Sequence, residues 1–334
     1  MPDKQAALTI DLDTIASDIK AGDGGSASLN NSFAGPRPFE APGGAGAKED
    51  GAAPELRRLS YARAVPRLLE LLDSTGIKAT FFAIGIDAGD PACAALLRRI
   101  ALEGHEVASH SLSHDRNLPL KLPPEIRRDI VEADRLIAAA TGKKPRGFRA
   151  PGAVLSKDLL TALDEAGYDY DSSLNTSLVY NLSKAAYGFL SGIKLPVLYA
   201  FGAPVGPYTP SGENIFKRAA QGKARLVEFP LTPIPLFPLP FMNYFLTRLG
   251  PLGKALTAFT AARRTFINYV LHDHELLTAA DFDGARTGSG LTAPGLGKDL
   301  SKRIDFIKCA LLTLKRTHSF ATLEAYAKDI RAGG

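Results

Sequence analysis

Short apolar runs alternate with segments of helical periodicity from one end of the chain to the other, and this alternation narrows the possible folds more than any other feature. Parallel strands joined by helical crossovers produce such a pattern. Strands are expected near 6–13, 79–84, 106–109, 147–150, 168–172, 226–231, 265–271 and 319–323, with helices near 61–73, 91–103, 123–141, 157–166 and 300–316. Seven or eight β/α units in one run predict an α/β chain folded as a TIM-like barrel. The 334 residues would then form a single catalytic unit rather than two domains. Two stretches break the rhythm. Residues 17–53, rich in Gly, Ala, Ser and Pro, are too long for an ordinary βα loop and predict a disordered segment or a lid. Residues 175–225 predict an ordered insertion, a substrate wall carrying Tyr180, Tyr187, Phe189, Tyr199, Phe201 and Tyr208.

Hydrophobic residues make up 45% of the chain and charged residues 22%, which excludes disordered and fibrous classes. The net charge of +5 is spread without a long basic run, so no nucleic-acid module is expected, while anionic lipid or phosphate partners fit. Cys93 and Cys309 lie far apart and lack metal-ligand spacing, which points to a reducing compartment. The N-terminus enters an apolar run by Leu8 with no room for a signal peptide, so a cytoplasmic address is expected. The most apolar stretch, 226–246, is broken by Pro230, Pro233, Pro235, Pro238 and Pro240 and does not read as a membrane span. It reads either as a buried strand leading into a Pro-bounded loop or as an apolar rim able to meet lipid.

In the run Thr9-Ile10-Asp11-Leu12-Asp13, strand alternation puts Asp11 and Asp13 on one face and Ile10 and Leu12 on the other. Two buried carboxylates need a cation or hydrogen bonds. Read alone, the pair fits equally well a strand that has already ended, with both groups in solvent as cap residues. In Ser109-His110-Ser111-Leu112-Ser113-His114, two histidines four apart share a face if the segment is helical. Together, Asp13, His110 and His114 form a set with open coordination positions, as a hydrolytic metal site requires. His105, His274 and His318 read as surface or ordinary loop residues.

At this point the sequence resembles the polysaccharide deacetylase (NodB homology) superfamily. The motifs occur in that family's order: Asp11-Leu12-Asp13, His110 to His114, Arg149-Ala150-Pro151-Gly152, Asp169-Tyr170-Asp171-Ser172-Ser173 and Leu271-His272, with Lys78-Ala79-Thr80-Phe81-Phe82 matching a recurrent strand. The resemblance implies a distorted (β/α) barrel and metal-dependent hydrolysis of a non-peptide amide. It implies Asp11 as general base, Asp13, His110 and His114 as ligands of one divalent ion, Arg149 as the cation holding the base, and His272 as general acid. Asp171 would orient or tune His272. The ion would be zinc, with cobalt or nickel as alternatives.

Separation of the aspartates by Leu12 is similar to the Asp-x-Asp branch, which includes intracellular and lipid-linked-sugar deacylases. The tryptophan that often follows the fourth motif is missing, because the chain has no Trp. The expected substrate is an acylated amino sugar, free or in a cell-envelope precursor, losing acetate or formate. A polyprenyl-linked sugar would place the chain at the inner face of the membrane. Two rival readings are an amidohydrolase acting on a small cyclic amide or ureide and a carbohydrate-binding barrel without turnover. The completeness of the residue set speaks against the second.

Overall fold

The computed structural model describes residues 4–13, 52–182, 202–219, 226–237, 239–282 and 299–332. The lid expected at 17–53 lies outside the described residues, except that its last two residues open the first helix. Of the expected substrate wall, Tyr180 and Tyr208 are described, and Tyr187, Phe189, Tyr199 and Phe201 lie outside the described residues.

Among the described residues, eight strands form one curled, parallel sheet: β1 (Gln5–Leu12), β2 (Thr80–Ala83), β3 (Glu106–Ser109), β4 (Gly147–Phe148), β5 (Tyr170–Asp171), β6 (Val227–Glu228), β7 (Phe266–His272) and β8 (Ser319–Phe320). Their order is β6-β5-β4-β3-β2-β1-β7, with β8 joining β1 at Gln5 and Ala6. Around the sheet lie α1 (Ala52–Thr75), α2 (Gly85–Ala88), α3 (Pro91–Leu102), α4 (Pro123–Thr141), α5 (Lys157–Glu165), α6 (Asn243–Arg248), α7 (Pro251–Arg263), α8 (Leu300–Lys315) and α9 (Leu323–Ala332). This is a distorted (β/α) barrel, as the alternation predicts.

The sheet separates two apolar layers by strand alternation. On β1, Ala6, Leu8, Ile10 and Leu12 join the core with Leu56, Tyr61, Val65 and Leu68 of α1. The opposite face starts with Ala7, which packs with Phe82, Ala108, Tyr170, Phe229 and Phe266 inside the barrel. Thr9 and Asp11 follow Ala7 on that inward face, and Asp11 stands in register with Phe82 of β2 and His272 of β7. A polar layer therefore sits directly on an apolar floor.

Local chemistry sets the helix ends. Asp90 accepts from the Ala92 and Cys93 amides ahead of Pro91, and Ser156 accepts from the Leu159 amide, so α3 and α5 begin at side-chain caps. Gly142, at φ 79°, ends α4 in the left-handed region. Helix α7 was not expected. Its buried positions are Gly253, Leu256, Thr257, Thr260 and Ala261, small or hydroxylated for the most part, so no apolar stripe marks its inner face. Gly253 has no room for a side chain: a Cβ there would lie 1.9 Å from the Leu246 carbonyl oxygen of α6.

The end strands β6 and β7 do not share a ladder. The Pro-rich segment crosses between them, with single bridges Asn175 to Leu231 and Met242 to Val270. Asn268 donates its amide to Thr232 Oγ1 at 2.8 Å and its Nδ2 to the Phe229 carbonyl at 3.3 Å. The segment is thus a short strand followed by a Pro-bounded closure, and among the described residues no helix is long and apolar enough to cross a membrane.

Candidate active site and metal centre

The expected site residues converge at the carboxyl ends of the strands, the end at which barrel sites are built. Asp11 lies on β1 and Asp13 just beyond it, His110 follows β3, Arg149 follows β4, and His272 ends β7. All are buried, as is His114 in the loop after His110. The cap-residue alternative for the aspartates does not hold, because both are inside the barrel mouth.

Arg149 organises the inner side. Its Nη1 donates to Asp11 Oδ1 at 2.6 Å, and its Nη2 to Thr9 Oγ1 and Ser172 Oγ, both at 3.0 Å. Its Nε donates to the Ser172 carbonyl at 3.0 Å, and the guanidinium carbon lies 4.2 Å from the centre of the Phe82 ring. Thr9 in turn donates to Asn268 Oδ1 at 2.8 Å, and Asn268 Nδ2 donates to Ser172 Oγ at 3.0 Å. A planar fork of donors is suited to this cradle, and Asp11 is held by a charge-assisted bond of fixed direction.

The two histidines do pair, but not on a helix. Residues 110–114 are irregular loop, with Ser111 at φ 69° and His114 at φ 59°. These left-handed turns fold the loop back so that the ring centres lie 5.0 Å apart, and the His114 amide donates to Ser111 Oγ at 3.0 Å. Side chains other than Gly adopt that backbone at a cost, and such conformations gather at functional sites. His110 Nδ1 lies 2.7 Å from the Arg149 carbonyl oxygen. A carbonyl only accepts, so Nδ1 carries the proton and Nε2 keeps its lone pair. Burial, outweighing the pull of Asp11 and Asp13, lowers the pKa of His110, while burial and His110 lower that of His114. Both are neutral imidazoles, the form that binds metals.

Asp13 is acted on from both sides. Burial pushes its carboxyl up, but His272, His274 and His114 together hold it far below the usual range. His274, expected to be an ordinary loop residue, has its Nδ1 3.9 Å from Asp13 Oδ1. Asp13, Asp273 and His274 form a trio whose potential ligand atoms lie within 4.8 Å of one another. This trio differs from the expected Asp13, His110 and His114. Asp273 is the poorer donor, because its oxygens already accept from Ser60 Oγ at 3.0 Å and the His274 amide at 2.7 Å. Burial and Asp13 also raise its pKa to about 7. Among the described residues that trio alone meets this spacing; Asp13, His110 and His114 share the same barrel mouth and are donor types suited to a divalent cation, but it is His274 that stands nearest to Asp13.

His272 faces two carboxylates: its Nε2 lies 3.8 Å from Asp11 Oδ2, and its Nδ1 lies 3.5 Å from Glu275 Oε1. Burial opposes its charge, yet Asp13, Glu275 and Asp11 push His272 up to about 10. Glu275, missed in the sequence, also accepts from the His272 amide at 3.0 Å and from Asn243 Nδ2 at 2.7 Å. Asp171, expected to orient His272, has its bonds elsewhere: it accepts from the Ser173 amide at 2.9 Å and Ser173 Oγ at 2.8 Å, and meets the Glu228 carboxyl. Burial raises both Asp171 and Glu228, and two carboxyls in hydrogen-bond contact must hold a proton between them. That pair braces the strand ends beneath Arg149. His105 and His318, also expected to be surface or ordinary loop residues, are buried, and His105 Nδ1 accepts from the Ala79 amide at 3.1 Å.

The polysaccharide deacetylase family model matches residues 50–170. The chain is 36% identical over 104 residues to a chitooligosaccharide deacetylase of Bradyrhizobium sp. (strain ANU 289), covering 30% of this chain and 46% of that protein. A peptidoglycan-N-acetylglucosamine deacetylase of Bacillus cereus is 32% identical over 101 residues, covering 30% and 36%. The matched regions thus span less than half of these relatives. In fold, the chain matches a Mycobacterium smegmatis structure assigned to the polysaccharide deacetylases, with a TM-score of 0.60, 19% identity and coverage of 100% and 92%. The Puue allantoinase structure gives a TM-score of 0.57 at 15% identity, covering 98% and 90%. The family match is therefore confined to residues 50–170, about a third of the chain, while the likeness of the whole chain to these solved structures is one of fold.

Proposed function

We propose that this chain removes an N-acyl group, acetyl or formyl, from an amino sugar, with a divalent ion held by Asp13, His110 and His114. The observation that carries the reading is the pairing of Asp11, clamped by Arg149, with His272 Nε2 at 3.8 Å, beside Asp13 and two neutral imidazoles. When bound, such an ion supplies Lewis acidity toward the amide carbonyl and toward water. Asp11 then accepts the proton of the attacking water, and Arg149 keeps its carboxylate aimed. His272 gives its proton to the amide nitrogen as the C–N bond breaks, so a neutral amine departs. Glu275 holds the far side of the His272 ring. The relatives' names supply the amino-sugar class, which the barrel alone does not.

Zinc is the first choice of ion, with cobalt or nickel as alternatives. The finer reading is a cytoplasmic enzyme forming one unit over 1–334 and acting on an amino sugar borne by a polyprenyl carrier. The test is release of acetate or formate from N-acetylglucosamine oligomers, peptidoglycan fragments, a lipid-linked amino sugar and free ureides, alongside elemental analysis of the purified protein. Turnover on an acylated sugar that is lost in Asp11→Asn while metal content persists supports the proposal. Turnover confined to ureides, or equal turnover in Asp11→Asn, would falsify it.

A further inference from the structure

Helix α7 carries an apolar stripe on its outward side as well as the residues it buries. Leu252, Ala255, Ala258 and Ala262 are exposed and Phe259 is half-buried, at the spacing that forms one face of a helix. The opposite face carries the buried Gly253, Leu256, Thr257, Thr260 and Ala261. The stripe continues off the helix: the Phe237 ring lies 6.3 Å from that of Phe259, and Leu236 beside it is 83% exposed. Leu236 adopts φ 65°, a backbone rarely taken by leucine, at the tip of the turn closed by the Pro233 to Pro240 bridge.

Charge identifies the occupant. From 229 to 272 the sequence contains no Asp or Glu, but it has Arg248, Lys254, Arg263 and Arg264. Lys254 and Arg263 flank the stripe on its two sides and are exposed, and the Arg263 guanidinium carbon lies 4.5 Å from the centre of the Phe259 ring. Leu, Ala and Phe side chains offer no hydrogen bonds, so the face has little with which to read a polar protein surface. An apolar stripe with a cationic rim matches the boundary between anionic headgroups and acyl chains.

We infer that the outer face of α7, with the Leu236–Phe237 tip, docks the protein on an anionic bilayer surface. The inference is independent of the proposed hydrolysis, since none of these residues belongs to the site.

The experiment is co-sedimentation of the full chain with vesicles of phosphatidylcholine alone or mixed with phosphatidylglycerol, at low and high salt. Wild type should pellet with the mixed vesicles, less so in high salt, and stay in solution with phosphatidylcholine alone. Leu236→Asp combined with Leu252→Glu should weaken recovery by about tenfold or more. Asp suits the left-handed backbone at 236, and Glu suits the first turn of α7, so folding is preserved. Lys254→Gln should weaken binding roughly fivefold. Thermal midpoint and turnover on soluble substrate should be unchanged in these variants. No binding to mixed vesicles, or equal binding by the double variant, overturns the inference. So does a concentration-dependent dimer that Leu252→Glu dissolves, which would assign the face to a second copy of the chain.

Discussion

Arg149→Met would remove the cation that clamps Asp11 while leaving a flexible apolar side chain against Phe82. In the native site the guanidinium is 2% exposed and spends its donors on Asp11, Thr9, and the hydroxyl and carbonyl of Ser172. Losing one member of a buried charge pair strands the other, at about 3–5 kcal/mol. The Thr9 and Ser172 oxygens also lose a donor, at about 1–3 kcal/mol if water does not replace it. Most of the loss is then the stranded Asp11 carboxylate, so Asp11→Asn in the same background should recover about 2 kcal/mol rather than add to the damage. Urea unfolding of wild type, both single variants and the double variant measures this coupling. The reasoning is refuted if Arg149→Met lies within about 1 kcal/mol of wild type, or if the two changes add within about 0.5 kcal/mol.

Three further outcomes follow from the geometry. Glu275→Gln should lower kcat by about 10- to 100-fold on amides with little change in KM, and spare aryl esters, whose leaving group needs no proton; equal losses on both substrates would show that Glu275 does not act through His272. Glu106 accepts from Tyr170, Thr80 and the Glu324 amide, and burial raises its pKa from 4.5 to about 7. The folded state therefore keeps a proton that the unfolded chain releases, so this group's contribution is fully present below pH 4.5 and lost as pH rises through about 7, a change of roughly 3 kcal/mol that should be missing in Glu106→Gln urea midpoints across pH. In Gly147→Ala the new Cβ would lie 1.8 Å from Tyr170 Cζ, and Tyr170 is tied to Glu106 at 2.6 Å, so the variant should lose about 1–3 kcal/mol or more, partly restored by Tyr170→Leu.

The strands other than β8 were legible because they are buried on both faces along nearly their whole length and bounded by turn residues, and α4 was legible because its apolar period is regular. The site residues could be read as types in order, and they lie at or just past the carboxyl ends of their strands. Their conformation could not be read: the His110 to His114 spacing suggests a helix, whereas the pairing depends on left-handed backbone at Ser111 and His114, positions where the sequence gives no glycine. The residues around His272 were missed although His272-Asp273-His274-Glu275 holds a dense local signal, and the spacing of three to Glu275 places that carboxylate back over the ring in a tight turn. Glu228 was beyond reach, because its partner Asp171 stands on the adjacent strand, far away in sequence. Helix α7 was hidden because its apolar groups are split between its two sides, Leu256 buried and Leu252 exposed, so no single stripe stands out.

The incomplete cylinder has a consequence for how the protein avoids its own kind. Its two outermost strands would ordinarily offer an unfinished edge to any passing chain; Tyr208 pairs with Glu228 on β6, and the proline-studded crossing meets β7 at Val270 with backbone that has few amide hydrogens to give. The keystone is Asn268, which joins the crossing to Ser172 and Thr9, the same two residues that grip the guanidinium. Closing the gap and holding the Asp11–Arg149 pair therefore draw on the same hydrogen bonds, so a change at Asn268 reaches both.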